Sequence, residues 1–336
     1  MRILIATYAN RGSTNMGVGR YFNQIADVLE KEGHELIFFN HPTPLVIEKT
    51  TLKNTLIPMF HFAPKNFGKM FESTKADAVH IQSEVGVGLS ARLYCVKHSI
   101  PYSAAYHTNW DIGMKSWAHI PSPLVWSYLR WCYKPASVIH ACTARVKQLL
   151  RNKGIQNPIE TFPLGVDCNI FYYHPDPSLF TGYPRPYFMT MSRISKEKNL
   201  EAFLDLELPG TKFIIGNGPY KNHLEKKYRG QAVFVPYSNN VRSVLSMGDV
   251  FIFPSRYDTF GLSNLEALAC GLPIAAFPVM GPIDIIEEGV CGYTSDNLTE
   301  AALACLSLKK EACIEHAKKF SWENTAHDFL KHQVIL

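Results

Sequence analysis

The chain has 336 residues, 46% of them hydrophobic, with 34 Lys and Arg against 29 Asp and Glu and a formal net charge of +5. That length suits two domains, each able to bury its own core, and the apolar fraction excludes a disordered chain; the mild positive excess selects no partner class. Eight scattered cysteines without a CxxC pair argue against a zinc site or disulfide framework and for thiols in a reducing cytosol. No apolar run reaches the roughly 18 residues of a spanning helix, and the N-terminal run lacks the features of a signal peptide.

Arg2–Thr7 predicts a strand, Gly19–Gly33 an amphipathic helix ended by Gly33, and His34–Asn40 a second strand. Ala78–Gln82, Tyr102–Tyr106, Ser137–Ala141 and Ile159–Pro163 continue the strand series, with helices over Gly88–His98 and Thr143–Lys153. Alternation of this kind specifies an α/β chain with a parallel, helix-covered sheet. Across Phe171–Pro186 the pattern lapses into a proline-rich stretch that reads as a domain linker. A second series follows at Tyr187–Ser192, Lys212–Gly216, Val233–Pro236, Asp249–Phe253 and Pro273–Phe277. The expected architecture is two Rossmann-like domains, residues 1–168 and 169–319, facing each other across a cleft at the carboxyl ends of both sheets.

The richest segment runs from Phe253 to Ala267. It leaves a strand, turns through Asp258 and Gly261, and enters a helix carrying Glu266. Backbone N–H groups at such a helix start can hold an anion, and flanking carboxylates can accept from neutral hydroxyls. That combination suits a nucleotide-sugar, with diphosphate in the middle and a hydroxylated ring at each end. The plain alternative is a solvated loop acid and a helix-start acid favoured by the dipole.

Met191-Ser-Arg-Ile-Ser-Lys-Glu-Lys-Asn199 follows another strand. Arg193 and Lys198 there are placed to grip a diphosphate and to stabilise it as a leaving group; a solvated basic loop is the alternative. Asn15-Met-Gly-Val-Gly-Arg-Tyr21 offers Gly17 and Gly19 for close backbone approach. It is not a dinucleotide fingerprint, because Phe22 stands at the third glycine and no acid closes the second strand. His107 and Glu84 each end a strand; Glu84 could contact an acceptor or take its proton, and both have ordinary structural or surface readings. His140 is assigned to the core. Residues 110–133 mix Trp117, Trp126, Tyr128 and Trp131 with Lys115 and Arg130, a composition that suits either a membrane interface or helix packing.

On Met191–Asn199, Gly216-Asn-Gly-Pro219, Asp249–Pro273 and Gly165-Val-Asp167, the chain resembles the retaining GT-B glycosyltransferases of family 4 nearly end to end. Within them it is most similar to bacterial α-mannosyltransferases and to the glycosyltransferases of glycolipid (diacylglycerol) synthesis. The resemblance implies that Asp258, in the first position of the E-x7-E motif, holds donor-sugar hydroxyls, and that Glu266 holds the ribose. Asp258 is one methylene shorter than the usual Glu. Arg193 and Lys198 match the diphosphate pair, backbone at Phe260, Gly261 and Leu262 meets the phosphates, and Val235 and Pro236 meet the base. Gly17 matches the donor-facing glycine loop, His107 the active-site histidine, and a last helix, about 320–336, packs back on the first domain.

The implied reaction is retaining transfer of a hexosyl group, best assigned as mannosyl from GDP-mannose, to a hydroxyl of a glycolipid or lipid-linked glycan. A UDP-sugar-dependent transferase acting on diacylglycerol, another glycan or a modified DNA base, and a nucleotide-sugar 2-epimerase, are the alternatives. No cofactor and no metal are expected, nor a nucleic-acid partner. The location expected is cytoplasmic, with peripheral attachment to the inner membrane face.

Overall fold

The computed structural model describes residues 1–8, 17–40, 62–237 and 240–336. They divide into two compact units: Met1–Leu164 with Trp322–Leu336, and Gly165–Ser321.

In chain order the first unit comprises β1 (Arg2–Ala6), α1 (Gly17–Lys31), β2 (Glu35–Phe39), α2 (Pro64–Thr74), β3 (Ala78–Ile81) and α3 (Val87–Lys97). It continues with β4 (Ser103–Tyr106), α4 (Trp110–Ala118), α5 (Ser122–Tyr133), β5 (Val138–Ala141), α6 (Ala144–Asn152) and β6 (Ile159–Thr161). All six strands are parallel, in the order β2-β1-β3-β4-β5-β6. The central strands β3, β4 and β5 are buried along their whole length, as expected of a parallel sheet covered on both faces. Local chemistry sets the boundaries: Thr143 Oγ1 accepts from the Val146 amide at 3.1 Å and caps α6, and Gly33, at φ 83°, turns the chain after α1.

The second unit comprises β7 (Tyr187–Met191), α7 (Leu200–Leu204), β8 (Thr211–Ile215), α8 (Lys221–Lys227), β9 (Val233–Val235), α9 (Val241–Ser246), β10 (Val250–Phe253) and α10 (Leu262–Ala269). It ends with β11 (Ile274–Ala276), α11 (Pro282–Ile285), β12 (Gly292–Thr294), α12 (Leu298–Cys305) and α13 (Lys310–Ala317). Its sheet runs β12-β11-β10-β7-β8-β9, with core residues such as Phe188, Phe203, Ile214, Ile252 and Ala302 wholly buried.

The proline-rich stretch is not a linker. Phe180 packs on Phe213 with ring centroids 4.2 Å apart, and the Tyr187 hydroxyl donates to the Phe180 and Tyr183 carbonyls at 3.1 Å each. Arg185 forms an ion pair with Asp249 at 2.8 Å. The aromatic residues between the prolines anchor the segment to the second unit without any periodic pattern. The units divide at Leu164 and Gly165 instead.

The last helix, α14 (Trp322–Lys331), belongs to the first unit. It buries Trp322, Thr325, Ala326 and Phe329, a helical spacing that makes one apolar stripe. Phe329 meets His80 at 5.0 Å and His140 at 5.8 Å, and Ser103 Oγ donates to Gln333 Oε1 at 2.8 Å.

Candidate active site

In the second sheet the strand order reverses between β7 and β10, and open parallel sheets bind ligands beyond the carboxyl end of such a switch point. The loops leaving these two strands carry the expected residues. After β7 come exposed Arg193, buried Ile194 and a single turn, Lys196–Lys198. Asn199, in the left-handed region at φ 54°, ends that turn and donates through Nδ2 to the Pro254 carbonyl at 2.9 Å. Lys198 Nζ donates to Asp258 Oδ2 at 2.8 Å. Burial pulls the Lys198 pKa down, but the charge and hydrogen bond of Asp258, with the nearby Glu197 charge, outweigh it and hold the ammonium above its ordinary value. Arg193 pushes in the opposite direction, so its charge shares this corner.

Gly261 stands at the start of α10 with φ 88°. A Cβ there would lie 2.7 Å from Asn264 Nδ2 and 3.0 Å from the Phe253 ring, so only glycine fits. No side chain caps the helix start, which Asp258 shortly precedes in the chain, and uncapped first-turn amides can hold an anion. Phe260 is buried, and Gly281 packs against its carbonyl: an added Cβ would come within 2.5 Å. Glu266 lies one turn into the helix and is only 6% exposed. At the ends of β8 and β9, the Gly216 amide donates to the Val235 carbonyl at 2.9 Å, while Gly216 and Gly218 leave room for the backbone at Ser192 and Ile194. Val235 is half-buried and Pro236 exposed.

Sequence reasoning missed two features here. The first is the bond between Lys198 and Asp258. The second is Asn264, which is fully buried while neither amide atom has a hydrogen-bond partner among the described residues. An asparagine in the first turn of a helix following Gly261 was the available signal.

In the first unit the switch point lies between β1 and β3. Thr7 Oγ1 donates to Gln82 Oε1 at 2.5 Å across it. Glu84 follows, but it is no open surface acid: it is 7% exposed. Trp110 Nε1 donates to its Oε2 at 2.7 Å, and the Tyr133 hydroxyl to its Oε1. The Tyr128 hydroxyl takes its backbone carbonyl at 2.5 Å. Burial raises the Glu84 pKa to about 7 against these hydrogen bonds. The side chain expected to meet an acceptor is therefore engaged in tying the end of β3 to α4 and α5. A small cavity behind it is lined by Gly88, Arg92, Tyr102 and Cys132.

His107, beyond β4, packs on Tyr21 with ring centroids 4.8 Å apart, and burial lowers its pKa to about 4. The ring is therefore held neutral near pH 7. Gly17 opens α1 and Gly19 is buried in its first turn; Asn15 and Met16 of the same motif lie outside the described residues. Among the described residues, no group of three or more His, Cys, Asp or Glu could hold a metal ion, and no helix is long and apolar enough to cross a membrane.

Residues 16–170 match the family described as Glycosyltransferase Family 4, and residues 181–324 that described as Glycosyl transferases group 1. The sulfoquinovosyl transferase SQD2 of Arabidopsis thaliana is 31% identical, the match taking in 66% of this chain and 46% of that protein. A GDP-mannose-dependent alpha-mannosyltransferase of Corynebacterium glutamicum is 27% identical over 76% of this chain and 67% of its own. The alpha-monoglucosyldiacylglycerol synthase of Streptococcus pneumoniae is 24% identical over 95% and 83%. The chain spans about half the length of the first curated relatives it matches. Sucrose-phosphate synthase of Thermosynechococcus elongatus shares the fold, with a TM-score of 0.79 and 17% identity over 98% of this chain and 97% of that one. With each half matched to a glycosyltransferase family and the fold shared along nearly its whole length, the chain belongs to the GT-B glycosyltransferases of family 4 and group 1.

Proposed function

We propose that this chain transfers a hexosyl group from a nucleotide-diphosphate sugar to a hydroxyl acceptor with retention of configuration. The observation that carries the reading is the corner made by Arg193, Lys198, Asp258 and the α10 start, with Glu266 one turn away. In the proposed reaction the diphosphate lies against these cations and amides. The sugar–phosphate bond loosens and an oxocarbenium-like centre forms. The acceptor hydroxyl enters on the face the diphosphate leaves, and its proton passes to the departing phosphate. Arg193 and Lys198 stabilise the charge that develops there, the work a metal would otherwise do, so chelation leaves activity intact. Glu266 accepts from the ribose hydroxyls, and His107 hydrogen-bonds as a neutral ring.

GDP-mannose is the first choice of donor, supported by the mannosyltransferase relative. UDP-glucose with a diacylglycerol acceptor is the second reading, favoured by a glucosyldiacylglycerol synthase that aligns with 95% of the chain. A lipid acceptor also suits residues 85–158, where nine Lys and Arg accompany a single acid, Asp111, and where Leu124 and Trp131 on α5 are 62% and 46% exposed.

The test is a thermal-shift comparison of GDP-mannose and UDP-glucose. Labelled transfer to diacylglycerol and to a mannosylated glycolipid follows, with the product's anomeric configuration read by NMR. A stabilising donor and an α-linked product are expected. Conversion of donor to its epimer without acceptor would establish the epimerase instead, and a chain that neither donor stabilises would refute this assignment.

A further inference from the structure

The contact between Lys198 and Asp258 gives Asp258 a task besides sugar recognition. The two residues leave adjacent strands, β7 and β10, and their side chains are only 28% and 18% exposed at a separation of 2.8 Å. The bond from Asn199 to the Pro254 carbonyl, 2.9 Å, holds the same two loops together one residue away. Asp258 is a methylene shorter than glutamate, and its Oδ2 already faces the ammonium. A lysine side chain has four rotatable bonds and no geometric preference of its own, so something must hold its end in place before ligand arrives.

We propose that Asp258 is the positioning residue of Lys198, fixing its ammonium at the ends of β7 and β10 so that the diphosphate meets a cation already in place. This rests on the donor-site reading and adds a role that concerns the phosphates rather than the sugar. The charged groups around the ammonium are Asp258, Glu197 and Arg193; burial and Arg193 favour loss of its proton, and the two acids oppose them. Removing the Asp258 charge therefore loosens the amine and lets it deprotonate at lower pH.

The experiment measures binding of GDP and UDP, which carry no sugar, by calorimetry across pH 7 to 10. Wild-type Lys198, held above its ordinary value, stays charged through this range; Asp258→Asn is expected to weaken the nucleotide that binds wild type by about tenfold, the loss of one well-placed charged hydrogen bond, and to add, relative to wild type, an alkaline fall in affinity. Asp258→Glu keeps the charge and adds no such fall, and Asp258→Asn combined with Lys198→Arg removes it, because a guanidinium does not titrate there. If Asp258→Asn binds the sugar-free nucleotide as wild type does, with no added alkaline fall, Asp258 serves the sugar alone and the inference fails while the donor site stands. If Asp258→Asn does not fold, Asp258→Glu decides: an alkaline fall added relative to wild type overturns the inference. If neither nucleotide binds wild type, the donor-site reading falls and takes this one with it.

Discussion

Gly261 concentrates several demands in one residue. Its φ of 88° lies where an L side chain costs about 1–2 kcal/mol, and a Cβ would press on the Asn264 amide and the Phe253 ring. Gly261→Ala is expected to lower stability by about 2 kcal/mol and to abolish the donor-induced thermal shift, since a side chain strains the positive φ at the α10 start and displaces the Asn264 amide. A variant as stable as wild type that still responds to donor contradicts this placement. Arg193→Ala and Glu266→Gln each remove a charged hydrogen bond worth about 1.5–3 kcal/mol. About a tenfold to hundredfold fall in kcat/KM should follow, with the unfolding midpoint nearly unchanged for exposed Arg193. Unaltered kinetics in either variant removes that residue from the site. The strand, turn and helix that carry Asp258, Gly261 and Glu266 were legible because they follow one another within a single segment. The pairing of Lys198 with Asp258 was not: the residues are 60 positions apart, and only the adjacency of β7 and β10 brings them together. Glu84 misled for a related reason. Its position at a strand end was readable, but the Trp110 and Tyr133 groups that enclose it come from helices 26 and 49 residues later.

At the scale of elements, two buried titrating groups hold the first unit together and respond oppositely to pH. Glu84 ties β3 to α4 and α5 with its pKa raised to about 7, against about 4.3 in an unfolded chain. Between those values the unfolded chain is ionised and the folded one is not, so stability falls as pH rises, by about 1.4 kcal/mol per unit. His140 sits beneath α14 with its pKa lowered to about 3 by burial, against about 6.5 unfolded. Here the unfolded chain takes the proton first, so stability is whole above about 6.5 and falls toward acid at the same rate. Denaturant unfolding between pH 4.5 and 6.5 separates the two. Glu84→Gln should make stability rise more steeply with pH by about 1.4 kcal/mol per unit, and His140→Phe should flatten it by the same amount. Parallel profiles for wild type and both variants would mean that neither group is buried in the stated form. Strands and helices were legible because parallel strands are continuous apolar runs and helices keep their period. The tie between Phe180 and Phe213 was not, because a non-periodic segment leaves no pattern until its aromatic residues find the sheet.

At the scale of the molecule, charge is distributed unevenly. Residues 85–158 hold nine of the 34 basic residues but only one of the 29 acids, so this segment alone exceeds the net charge of the whole chain. Lys97, Lys115, Arg130, Lys134 and Arg145 in it are exposed. Leu124 and Trp131 stand exposed on the same helix as Arg130, and the Trp131 ring is braced by the Arg92 guanidinium 3.6 Å from its centre. A basic residue near an anionic lipid surface contributes about 1 kcal/mol, enough in combination to hold a protein on a membrane without a spanning helix, and the interaction is screened as salt rises. If the acceptor is lipid, this basic segment is the part expected to meet it. The chain should therefore sediment with phosphatidylglycerol vesicles and not with phosphatidylcholine, and should come off as salt approaches 1 M. Reversing Arg130 and Lys134 to Glu should lower partitioning by more than about tenfold, because each reversal converts an attraction of about 1 kcal/mol into a repulsion. Trp131→Ala should reduce the part of binding that survives salt, since it removes apolar area rather than charge. Equal binding to neutral and anionic vesicles, or full activity on a lipid acceptor by the doubly reversed variant that no longer binds them, would separate the basic segment from acceptor access.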